Sequence, residues 1–242
     1  MIVTRRDRSF WMIDQHEHAR LSAAMAAAFK PGLTDMPQLL TAAVRGHDRA
    51  WQILDREPLW NDHAEKPYSF LDFPADMKMV FYEQGLQQTE SENPGCALLQ
   101  SLHYCSLVKG RTSGEKRFLK REQVRQARLA DFVPEADLDG LLKLLQFTDS
   151  LSLYVCMRPG VAGIYRQEEN GFHASEDLPF TNGLSFQAEW TDGELTCSPS
   201  PFHKQIDFQL EARQLQLDDC KDNGLVNTFR HTRPTALHVK IR

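Results

Sequence analysis

Along the first two thirds of this chain the apolar residues return every three or four positions, and along the last third they alternate with polar ones. The first rhythm is that of helices with one buried face; the second is that of half-buried strands. Two short β-prone runs, 1–4 and 10–13, flank the charged stretch 5–9 and predict an N-terminal hairpin. Asp14, followed three residues on by Glu17, is close to a capping box and predicts a helix over 15–29, stopped at Lys30-Pro31-Gly32. A second helix is expected over 37–56, between Met36-Pro37 and Glu57-Pro58. Residues 59–72, which include Pro67, read as irregular. Further helices are expected over 74–90, 95–109, 115–132 and 135–156, with Asn93-Pro94-Gly95, the loop 110–114 and Pro134 as breaks.

After Met157-Arg158-Pro159-Gly160 the turn-forming residues become frequent. The run Phe186-Gln187-Ala188-Glu189-Trp190, then Thr191-Asp192-Gly193, then Glu194-Leu195-Thr196-Cys197 predicts a hairpin. Strands are also expected over 206–212 and 237–241. The fold class is therefore α+β. A mainly helical domain with an N-terminal hairpin covers 1–156, and a β-rich appendage packed on it covers 157–242. The hairpin is expected to pair with the appendage, which would tie the two parts together.

Composition narrows the function classes. The formal net charge of −5 leaves no electrostatic footprint for nucleic acid. No apolar run is long enough to suggest a membrane span. The early charges of the N-terminus argue against a secretory signal. The five cysteines are scattered, with no C-x-x-C pair, and read as reduced thiols of a cytoplasmic protein.

The candidate chemistry lies where the apolar stripes are interrupted. His18 shares a face with Leu21 and Met25. His47 sits among Leu40, Val44, Trp51 and Leu54, with Asp48 at the edge of that stripe. His103 falls between Leu99 and Leu107, and Asp149 among Leu142, Leu145 and Leu153. Taken singly, each is an ordinary core histidine or a cap. Together they place an imidazole or carboxylate on the inward face of several helices of one bundle. Such groups are costly to bury unless something satisfies them. Imidazole nitrogen with carboxylate oxygen suits a divalent transition ion such as Mn, Fe or Zn. His47 and Asp48 would point about 100° apart on a regular helix, so both reach one ion only at the helix shoulder, in a site open to solvent.

This order resembles the HD superfamily of metal-dependent phosphohydrolases: a His in Gln15-His16-Glu17-His18, a His-Asp doublet in Gly46-His47-Asp48-Arg49-Ala50-Trp51, and an Asp in Phe147-Thr148-Asp149. The whole chain is also similar to an uncharacterised bacterial family sharing Gln-x-x-His, His-Asp-x-x-Trp, a Ser-x-His like Ser101-Leu102-His103, and a late Pro201-Phe202. The HD likeness implies His18, His47, Asp48 and Asp149 as ligands of a first ion. It places His103 where two-metal members carry a further histidine, and leaves His16 and His63 as weak candidates for a second ion. One ion is the simpler reading, two the alternative.

The expected function is hydrolysis of a small phosphorylated molecule such as a nucleotide. Asp48 would take the proton of an attacking water, with Arg49, Lys109 and Arg111 as substrate-binding cations beside Arg45. The rivals are an HD-type di-iron oxygenase and a non-catalytic sensor or interaction module stabilised by its metal. The β region leaves a homo-oligomer open. The metal reading requires the imidazoles of His18 and His47 to lie within about 8 Å of the Asp149 carboxylate, a generous bound on ligands that each sit ~2 Å from one ion.

Overall fold

The computed structural model describes residues 1–133, 137–157, 171–174 and 177–242. The expected helix start at Pro134-Glu135 and most of the change of character at Arg158-Pro159-Gly160 lie outside them. No helix among the described residues is long and apolar enough to cross a membrane.

Mixed α+β architecture follows from the two periodicities. The N-terminal hairpin is β1 (Ile2–Arg6) and β2 (Ser9–Ile13), turned at Asp7 in the left-handed region that aspartate tolerates. The bundle comprises α1 (Gln15–Ala27), α2 (Pro37–Arg45), α3 (Gln52–Arg56), α4 (Ala75–Glu92), α5 (Pro94–Leu107), α6 (Ser113–Leu129) and α7 (Leu138–Cys156). Between α3 and α4 a two-residue strand pair, β3 (Trp60–Asn61) and β4 (Lys66–Pro67), replaces the expected irregular stretch.

The remaining strands are β5 (Phe172–Ala174), β6 (Phe186–Thr191), β7 (Glu194–Ser198), β8 (Ile206–Gln216) and β9 (Thr235–Ile241). β6 and β7 form the predicted hairpin, with Asp192 and Gly193 both at positive φ, as tight hairpin turns demand. Two helices break the β-rich expectation: α8 (Leu217–Asn223) and α9 (Leu225–His231). Their Leu217, Cys220, Leu225 and Phe229 cover Phe10, Met12 and Leu215 on the outer side of the sheet. These helices are too short to show a clear helical period in the sequence.

One seven-stranded sheet runs β1-β2-β8-β9-β7-β6-β5, antiparallel except for β7 beside β9. The β2–β8 pairing, Phe10 opposite Leu215 and Met12 opposite Arg213, joins the two ends of the chain as expected. The inner face of the sheet packs with α1, α2 and α7 in one core that includes Trp11, Leu21, Val44, Leu145, Phe186, Leu210 and Val239. Pro201-Phe202 belongs to this scaffold. Phe202 stacks on Phe29 with ring centroids 5.9 Å apart, and Lys30 N–H donates to the Pro201 carbonyl, which anchors the end of α1.

Three local expectations change. The Asp14–Glu17 capping box does not form: Asp14 makes no side-chain cap, and Glu17 instead accepts from Arg20 and from the Glu211 amide. A capping box exists at Thr112 and Glu115, opening α6. The helix expected over 37–56 is broken. α2 ends at Arg45, Gly46–Asp48 form a turn, and a 3-10 turn at Arg49–Trp51 leads into α3. Here the amides of His47, Arg49 and Trp51 reach back three residues, to Val44, Gly46 and Asp48.

Candidate metal centre

The break after α2 places the His-Asp doublet. A Cβ on Gly46 would meet Gln100 Nε2 at 2.9 Å, and that amide donates to the Ala43 carbonyl, so α5 clasps the end of α2. On the other side α4 comes close enough that a Cβ on Gly85 would lie 2.9 Å from the Ala50 backbone. Between these contacts the turn rotates neighbouring side chains toward one point. His47 Nε2 is 3.8 Å from Asp48 Oδ2, so the 100° divergence of a regular helix does not apply.

Four elements converge there. α1 supplies His18, the Gly46–Asp48 turn supplies His47 and Asp48, α5 supplies His103 and α7 supplies Asp149. His18 Nε2 lies 2.6 Å from Asp48 Oδ2 and 3.9 Å from Asp149 Oδ1; His47 Nε2 lies 3.2 Å from Asp149 Oδ1. These separations are well inside the bound set from the sequence. Donors ~2.1 Å from one cation at the tetrahedral angle stand about 3.4 Å apart, and the 3.2, 3.8 and 3.9 Å separations bracket that value. The 2.6 Å His18–Asp48 contact is shorter, a hydrogen bond of the free side chains. His18, His47 and Asp149 form a group able to hold a metal ion; Asp48 and His103 lie against that group without belonging to it.

The far sides of the imidazoles are fixed by the protein. His47 Nδ1 donates to the Val44 carbonyl at 2.6 Å, an acceptor that permits no other tautomer. Ser152 Oγ donates to the Asp149 carbonyl at 2.8 Å, which leaves a lone pair for His18 Nδ1–H at 2.9 Å, while the adjacent Ser22 hydroxyl donates to the Thr148 carbonyl at 3.2 Å. Both Nε2 atoms therefore face the carboxylates. Stripped of Nε2 protons, as metal binding requires, the two imidazoles with ionised Asp48 and Asp149 would carry two negative charges, which match a divalent cation. This outer support of ligating histidines is what a metal site requires.

The electrostatics agree. Burial alone would depress the His47 pKa, but the Asp48 and Asp149 carboxylates outweigh it and hold it near 9. Burial opposes ionisation of both carboxylates, yet the surrounding imidazoles keep Asp48 and Asp149 below the ordinary carboxylate range. Burial lowers His103 to about 4, so it is neutral. His103 Nε2 is 3.5 Å from Asp149 Oδ2, and its buried Nδ1 has no hydrogen-bond partner among the described residues.

The imidazoles are shut off from solvent, while the Asp48 and Asp149 side chains retain 9% and 11% exposure. The opening is thus narrower than the expected shoulder site. Two cavities of about 380 Å³ and 580 Å³ lie elsewhere, one lined by α7 and β5 and one beside the connection from α1 to α2.

Other candidates stand apart. Arg49 pairs with Glu92 at 2.6 Å. Lys109 and Arg111 are exposed in the connection between α5 and α6. His16 is half-buried against Gln52, His63 is exposed, and neither joins the metal-capable group. Ser101 donates to buried Glu122, which excludes it from a Ser-His pair with His103. Trp51 is core, edge-on to Phe73 and Tyr82. Residues 66–70 form a packed loop, with Phe70 N–H donating to the Met1 carbonyl.

Lys78 escaped the sequence reading. It shares a helical face with Tyr82, Gly85 and Thr89 on α4, and a lysine opening a buried stripe was the available signal.

No curated protein and no solved structure matches the chain. A family model described as a protein of unknown function, DUF3891, matches residues 1–217. The chain belongs to that family, whose description carries no activity.

Proposed function

We propose that this protein is a metal-dependent phosphohydrolase whose centre is His18, His47, Asp48 and Asp149. One observation carries the reading: two buried imidazoles commit Nδ1 to protein acceptors and turn Nε2 toward two carboxylates. The His, His-Asp, Asp order along the chain, shared with HD-type hydrolases, adds to it. A divalent cation at such a centre supplies acidification of water and polarisation of a phosphoryl oxygen.

The chain's own residues have separate tasks. His18 and His47 hold their ligand nitrogens fixed through Ser152 and Val44. Asp149 faces His47 with Oδ1 and His103 with Oδ2, and so spans the centre. Asp48, buried apart from a 9% side-chain exposure and kept ionised by the surrounding imidazoles, is the acceptor for the water proton. Water oxygen attacks phosphorus, the ester P–O bond breaks, and the leaving oxygen takes up the proton that Asp48 accepted from the water.

The test is metal content of the purified protein with turnover of bis(p-nitrophenyl) phosphate, in wild type and His47→Ala. Stoichiometric metal and turnover, both lost in the variant, are expected. A folded, metal-loaded wild type without turnover on this ester or on a panel of nucleotides refutes the hydrolase.

A further inference from the structure

Lys78 lies half-buried on α4, on the face that Gly85 presses against Ala50. Its ammonium donates to the Phe70 carbonyl at 2.8 Å and sits 5.6 Å from the centre of the Trp51 ring. The Trp51 backbone N–H donates to the Asp48 carbonyl at 3.0 Å, so the residue whose indole lies beneath Lys78 sits in the 3-10 turn that follows the proposed proton acceptor. Burial lowers the lysine pKa, while the carboxylates of Glu115, Asp48 and Asp72 act against that.

Those carboxylates are engaged elsewhere. Asp72 pairs with Lys66 at 2.7 Å and accepts from the Ser69 amide. Glu115 accepts from the amides of Arg111 and Thr112. Asp48 is bonded to His18. Among the described residues Lys78 has no ion pair, only a neutral carbonyl and an aromatic face. A half-buried ammonium that meets only a carbonyl and an aromatic face keeps its charge available for an anion. Arg49, nearer in sequence, already holds Glu92.

We propose that Lys78 binds the anionic phosphoryl group of the substrate beside the His18–His47–Asp48–Asp149 centre. The inference rests on the hydrolase reading above and assigns its charge recognition to α4. Lysine suits the task because a compact ammonium on a flexible stem can leave a carbonyl for a phosphate oxygen.

The experiment is calorimetric titration of inorganic phosphate into Mn²⁺-loaded protein, with Mn²⁺ affinity and thermal melting measured on each sample. Wild type is compared with Lys78→Met, Lys78→Gln, Lys78→Arg and His47→Ala. The glutamine keeps a polar tip should the methionine variant fail to fold. Loss of a charge-assisted hydrogen bond predicts phosphate binding about 10- to 100-fold weaker in the methionine and glutamine variants. Arginine should recover most of the affinity, and Mn²⁺ affinity should be unchanged in all three. Phosphate binding that is absent from wild type, or equal in wild type and the folded Lys78 variants, overturns the proposal. Binding lost in His47→Ala but kept in Lys78→Met also overturns it and leaves the metal reading standing. Binding lost in the Lys78 variants yet indifferent to Mn²⁺ and to His47→Ala supports Lys78 and rejects the metal reading.

Discussion

Gly85 offers a test in which two physical effects predict opposite signs. In an ordinary helix interior, glycine to alanine stabilises by about 1 kcal/mol. At Gly85 the added Cβ would stand 2.9 Å from both Ala50 Cα and Ala50 N, and 3.0 Å from Ala50 Cβ. Two of these atoms are backbone and cannot swing aside, so α4 or the Arg49–Trp51 turn must move. Overpacking of this kind costs about 1–3 kcal/mol. Set against the propensity gain, Gly85→Ala should end about 0–2 kcal/mol less stable, with a loss of up to about 4–8 °C in melting temperature for a chain of this size. The displaced turn directly follows His47 and Asp48, so metal affinity should fall as well, in a variant whose substitution touches no ligand. Thermal melts with and without Mn²⁺ or Zn²⁺, together with metal titration calorimetry, check both effects. A Gly85→Ala protein that melts higher than wild type and binds metal equally well would refute the argument that α4 positions the doublet.

Two further outcomes follow from the centre itself. Ser152→Ala removes the acceptor of His18 Nδ1, and metal affinity should drop about 10- to 100-fold; unchanged affinity by titration would show that Ser152 does not orient the imidazole. His47, held near 9 in the free protein, must give up its proton to bind metal, so apparent affinity should rise with pH up to about 9 and then level off. The linkage sign is consistent. The folded pKa lies above the unfolded value of about 6.5, so the charged His47 stabilises the metal-free fold fully below pH 6.5 and loses that contribution as pH rises through 9. The melting gap between loaded and chelated protein should therefore widen from pH 6.5 to 9, and a gap independent of pH would exclude His47 as a ligand.

Much of the frame was legible from periodicity. The face of α1 and the β6–β7 hairpin depend on local spacing and turn residues, which a linear reading resolves; the α5 stripe stops short of exposed Leu107, and α7 buries Leu141 and Leu144 more deeply than the expected Leu142 and Leu153. For the same reason His18, His103 and Asp149 stood out, because each interrupts an apolar stripe whose direction is set by its own helix. Length limits that signal: α8 and α9 span too few residues to reveal a period.

The convergence of His47 with Asp48 is a tertiary result. Their helix is interrupted because α5 closes on Gly46 and α4 closes on Ala50. Neither contact leaves a mark in the spacing of residues 37–56. For Lys78 the sequence offers only a lysine at the start of a buried stripe; its missing counter-charge is a property of Phe70, Trp51 and Asp72 meeting in space. A chain's order states which face of an element turns inward. Packing between distant segments decides where an irregular turn aims its side chains and which charges are left without partners, because those energies arise only when the segments meet.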